Sequence, residues 1–223
     1  IVEPTYRGII KLASPVVISM FSMTLMGLVD TLIVGYLGTA PLAAVGFMMT
    51  LCFNLLAFSQ GFMGAVTTLV SQNFGARHFS TCRTIVWQGL LLSIFFGIFY
   101  FLLSFFIKDI LSFMKLSEEV QRFGTSYGSV YMMGGVFIVF NYAMIGFFQG
   151  IGNTKIPMMV AIVSNLLNAG LAWVLVLGWH GLGGYGVVGA AWATLCATAF
   201  SSLVYFFFFI RNSLGRGTQR TMG

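Results

Sequence analysis

Residues Gly8–Gly38, GIIKLASPVVISMFSMTLMGLVDTLIVGYLG, are apolar over a length that crosses a hydrocarbon core of about 30 Å as a helix rising about 1.5 Å per residue. The second half of this run carries one carboxylate, Asp30. An ionised Asp at such a depth costs on the order of 2.5–3.5 kcal/mol on insertion scales. Asp30 therefore needs water, a partner or a proton, and each of these implies a cavity inside a helix bundle. Steps of three or four residues back along a helix place Met26, Met23, Ser22 and Ser19 on one polar or polarisable face. The plainer alternative puts Asp30 near the outer interface, bonded only to a neighbouring helix.

With 58% hydrophobic and 7% charged residues, the chain is excluded from the soluble domains, which carry about 25% charge. Apolar runs predict six spans, at 8–36, 42–73, 82–107, 122–150, 156–178 and 187–210. No polar interval is long enough for an extramembrane domain. The expected organisation is a six-helix transmembrane lobe over 1–210 and a basic cytoplasmic tail or linker over 211–223. Pro15 is tolerated in the first span because bundle neighbours re-satisfy the freed carbonyl, and Pro157 suits the first turn of the fifth. The second span exceeds what lipid requires, so it tilts or projects into water. Lys108–Gln121, KDILSFMKLSEEVQ, is expected as a short interfacial helix, and Trp179–Gly186 as a glycine-rich turn with interfacial aromatics.

Lys and Arg set the orientation. With the N-terminus inside, Arg7, Lys11, Arg77, Arg83, Lys155, Arg211, Arg216 and Arg220 lie inside, and Lys108, Lys115 and Arg122 lie outside. Eight against three places both ends in the cytoplasm. Asp30 then lies roughly 12 Å beyond the middle of the first span. The net charge of +6 is spread over membrane-edge loops, which points to topology and not to nucleic acid. Cys52, Cys82 and Cys196 show no metal-ligand spacing and read as small core residues.

Polar residues recur on helical faces. The fourth span aligns Tyr127, Tyr131, Gly134, Asn141 and Gln149, and the fifth aligns Asn165, Asn168 and Ala172. The second carries Asn54, Gly61, Thr68 and Gln72 on one side, and Gln60, Gly64, Thr67 and Ser71 on another. Small residues let helices approach closely, and amides bond between helices at about 0.6–2 kcal/mol each. If the first, fourth and fifth spans enclose a chamber, its candidate lining is Asp30 with Tyr127, Asn141, Asn165, Asn168, Gln60 and Met26. Gly134, Gly135 and Gly170 are candidate bends. His78 and His180 fall on opposite sides of the membrane and cannot share a metal. No phosphate loop, HExxH or CxxC pair is present, so no metal, organic cofactor or enzyme is expected.

Five stretches together resemble the multidrug and toxic compound extrusion (MATE) family, in the MOP superfamily that also contains lipid-linked oligosaccharide flippases. They are LVDTLIVGYLGTAPLAAVGF from Leu28, GFMGAVTTLVSQNFGAR from Gly61, QGIGNTKIPM from Gln149, SNLLNAGLAWVLVLG from Ser164 and GVVGAAWAT from Gly186. The resemblance implies an all-α lobe of a two-lobe antiporter in a bacterial or archaeal inner (plasma) membrane. It also implies export of cationic or amphipathic compounds against H⁺ or Na⁺. The family's first-helix carboxylate falls on Asp30, its fourth-helix tyrosine on Tyr127 and its fifth-helix asparagine on Asn168. Many prokaryotic members carry a second acid one turn after that asparagine, where this chain has Ala172, which argues against a two-acid Na⁺ cage. At 223 residues the chain holds one lobe, so the second is expected in the same full-length chain or in a second copy. A flippase would want basic residues in its cavity, and none lies mid-membrane.

Overall fold

The computed structural model describes residues 6–178 and 184–214, and all regular structure among them is helical. The helices are α1 (Tyr6–Gly35), α2 (Thr39–Gly75), α3 (Phe79–Phe113), α4 (Glu118–Met133), α5 (Gly135–Gly150), α6 (Lys155–Ala172) and α7 (Val187–Leu214). A π-helical turn, Trp173–Leu177, extends α6. By length and apolarity α1, α2, α3, α6 with its π-helical turn, and α7 can each cross a bilayer, and α4 with α5 makes a sixth span bent by 48°. The chain is an all-α integral membrane protein. The Trp179–Gly183 part of the glycine-rich turn, His180, and the 215–223 tail with Arg216 and Arg220 lie outside the described residues.

The expected interfacial helix over Lys108–Gln121 is not a separate element. Instead α3 runs on through Lys108 to Phe113, because Ile107 and Leu111 continue its buried stripe. A turn with Lys115 at φ 51° ends it. Glu118 and Glu119 then open α4, where the positive end of the helix dipole favours carboxylates.

The fourth span breaks at Gly134, between α4 and α5. A Cβ on Gly135 would stand 2.7 Å from Cβ of Tyr100 on α3, and a Cβ on Gly97 of α3 would stand 2.5 Å from Cβ of Val136 on α5. Each helix thus seats the other's side chain on its own bare backbone. Gly170 has nothing within 4 Å of a built Cβ and sits in an unbroken α6. The irregularity in that span falls instead at the π-helical turn, where Gly189 of α7 has no room for a Cβ beside the Leu175 carbonyl. Gly97→Leu should force α3 and α5 apart at a cost of about 1–3 kcal/mol. Thermal unfolding in detergent checks this, with an unchanged midpoint as the contrary result.

Centrally placed, α5 packs on α2, α3 and α7. By contrast α1 leans mainly on α6 and lightly on α2, and 11% of its most apolar window is buried, against 39% for α3 and for α7. The uncovered face of α2 runs through Gly46, Thr50, Asn54, Gly61, Gly64, Thr68 and Gln72. It is a small and polar strip on an otherwise apolar helix.

Candidate functional site

Few residues of α1 are buried. Asp30 is one, at 5% exposure, with Ile33 and Val34 three and four residues further on. That spacing puts all three on one face, so docking the apolar pair carries the carboxylate in with it. Among the described residues nothing donates a hydrogen bond to Asp30. Its carboxylate lies within electrostatic reach of Tyr127 and Tyr131 on α4, whose rings stack 5.7 Å apart. Tyr127 is fully buried, and its hydroxyl has no hydrogen-bond partner among the described residues. An unpaired buried polar group costs about 1–3 kcal/mol, so a donor and acceptor kept free within electrostatic reach of a carboxylate calls for a reason.

The asparagines are held at helix crossings. Asn165 donates from Nδ2 to Oγ of Ser22 at 2.7 Å, tying α6 to α1. Asn168, fully buried, donates from Nδ2 to Oγ1 of Thr194 on α7 at 3.2 Å, while its Oδ1 has no partner among the described residues. Asn141 donates to the Thr198 carbonyl at 3.1 Å and accepts from Ser202 at 2.9 Å, joining α5 to α7. Since α1 and α6 are the first and fifth of the alternating spans and so run the same way, levels can be read along both from the Ser22–Asn165 bond. Asp30 stands about 12 Å above it on α1, and Ala172 about 10 Å above it on α6. Ala172 shares the Asn165 face and is buried at 1% exposure, so Asp30 is level with the position where an acid would have made a pair.

Of the candidate lining, Asp30 and Tyr127 share one neighbourhood, and Asn165 and Asn168 share the α6 crossing with α1 and α7. Asn141 belongs to the α5–α7 crossing. Met26 is half-buried, and Gln60 is exposed on α2, apart from these groups. Thr194, Thr198, Ser201 and Ser202 of α7 complete the polar crossings, with Ser201 bonded to Ser164 at 2.5 Å. Their signal in the sequence is hydroxyls recurring three, four and seven residues apart. Among the described residues no group of three or more His, Cys, Asp or Glu can hold a metal.

The MatE family model matches residues 15–174, which include Asp30, Tyr127, Asn165 and Asn168. The chain belongs to the MatE family. A probable multidrug resistance protein YoeA of Bacillus subtilis is 29% identical over 89% of this chain and 43% of its own length. The multidrug resistance protein NorM of Vibrio cholerae is 28% identical over 91% of this chain and 44% of its own. A MOP superfamily transporter from Pyrococcus furiosus superposes with a TM-score of 0.83 at 27% identity, over 94% of this chain and 45% of that one. The chain thus spans less than half the length of these relatives. Its MatE lobe is an integral inner-membrane protein.

Proposed function

We propose that this MatE lobe is half of a secondary antiporter that exports cationic or amphipathic compounds in exchange for H⁺ or Na⁺, with Asp30 taking and releasing the coupling ion. The observation that carries the reading is Asp30 itself, buried inside a membrane span with no donor among the described residues. A carboxylate so placed is stable only when it holds a proton or a cation. The Tyr127 hydroxyl and Asn168 Oδ1 are two further oxygens buried in the bundle without a partner among the described residues. YoeA and NorM bear multidrug resistance names, which supports the substrate class. Their double length supports a second six-helix lobe as partner, in the same chain or as a second copy. The reaction is transport and not catalysis, and no cofactor beyond the coupling ion is required.

Protonation removes the charge that holds a cation. It can move the lobe between two arrangements only by the difference in proton affinity between them. The joint at Gly134 supplies a place for α4, with Tyr127, to change angle against α5. No Lys or Arg lies mid-span among the described residues, so a phosphate-bearing flippase substrate would find no charge partner. The reading is tested in cells expressing the full-length protein, by export of a fluorescent cation with and without a proton uncoupler and with external Na⁺ replaced. Export should collapse in one of the two conditions, which names the ion. Export insensitive to both would overturn antiport.

A further inference from the structure

At the outer mouth, the end of α3 and the start of α4 leave a half-open groove of about 350 Å³, lined by Lys108, Glu118, Gln121, Arg122, Thr125 and Ser126. This segment has no part in the transport reading. Lys108, Glu118 and Arg122 are exposed, and none makes an ion pair among the described residues. The Arg122 guanidinium lies over the Phe123 ring, 5.1 Å from its centroid. The groove's frame is fixed: Gln121 donates to the Leu116 carbonyl at 2.7 Å, and Ser129 donates to the Ser104 carbonyl at 3.1 Å beneath it. About 5–10 Å below Lys108 on α3, Phe105 and Phe101 are exposed and meet edge to face at 5.3 Å. Charged groups thus lie at headgroup depth with an apolar track beneath them.

Two cations and one carboxylate around one hollow are the complement of a zwitterion carrying a phosphate and a primary ammonium. We propose that this groove binds a phosphatidylethanolamine of the outer leaflet, its phosphate between Lys108 and Arg122, its ammonium on Glu118 and an acyl chain along Phe105 and Phe101. Thr125, Ser126 and Gln121 supply neutral hydrogen bonds to phosphate and glycerol oxygens. Phosphatidylglycerol offers Glu118 no cation. Phosphatidylcholine offers a quaternary ammonium with no N–H to donate and too broad to approach as closely.

The test is native mass spectrometry of the full-length protein in detergent, with equal amounts of the three lipids bearing the same acyl chains. Phosphatidylethanolamine should be retained about threefold over each of the others, the ratio expected of one partly exposed ion pair. The paired changes Lys108→Ala and Arg122→Ala should lose that retention. Glu118→Gln should raise phosphatidylglycerol to at least parity. Lys115→Ala, exposed but outside the groove, should leave the pattern unchanged. Equal retention of all three lipids by the wild type, or an unchanged order in Glu118→Gln, overturns the assignment. Glycerophosphoethanolamine, which lacks acyl chains, should not displace the lipid at equal concentration, and equal competition would overturn the lipid in favour of a soluble phosphate ligand.

Discussion

Asp30→Asn in the full-length protein should reach the membrane in wild-type amount and abolish coupled efflux, leaving drug sensitivity at the level of cells without the transporter. The amide keeps the size and shape of the carboxyl and still fits beside Ile33 and Val34. It cannot gain or lose a proton at physiological pH, nor match a carboxylate as a cation ligand. Folding should not suffer, since a neutral amide is easier to hold in a membrane than an ion. Thermal unfolding in detergent should therefore match or exceed the wild type. Wild-type export rates in this variant would remove Asp30 from the coupling step.

Asn168→Leu combined with Thr194→Val should separate stability from export in the opposite sense to an ordinary core mutation. The wild-type pair makes one hydrogen bond of 3.2 Å and leaves Asn168 Oδ1 without a partner among the described residues. Replacing both partners by apolar groups of similar shape removes the bond and the orphan together. The balance should be neutral or favourable, by up to about 1–3 kcal/mol. Thr194 also bonds the Ala190 carbonyl of its own helix, and Val leaves that carbonyl its backbone partner. Export should fall toward the background nonetheless, because on the proposed antiport reading the free oxygen is one of the groups that meet the transported ion. A double variant that is as stable as the wild type and exports as well would reduce Asn168 to a helix-packing residue.

Much of the fold was legible because lipid leaves few choices. Length and apolarity place the spans, and the cost of a mid-membrane charge singles out Asp30 before any helix is placed. The bend was legible only as a set of options. Gly134, Gly135 and Gly170 look alike in a string of letters, and what sets Gly135 apart is the Tyr100 side chain of α3, packed where a Cβ would stand, while Gly170 has open space there. The end of α3 was missed because Lys108 and Asp109 interrupt the apolar run, while the buried stripe continues on the helix face that carries Ile107 before them and Leu111 after them. The α7 partners were hidden by self-sufficiency. A hydroxyl in a helix can bond the carbonyl four residues back, as Thr198 does to Thr194 and Ser201 to Ala197, so nothing marks it as awaiting an amide from another span. Gln60 shows the converse, since a polar letter in a span need not face the enclosed side.

The poor cover of α1 also bears on how the protein is made. Its main neighbour, α6, opens at Lys155, 120 positions after α1 closes at Gly35. At about 5–20 residues per second, a ribosome needs about 6–24 s to deliver that neighbour. Throughout this interval the first helix is without its chief support, and its one acid must wait neutral or shielded until the later helices enclose it.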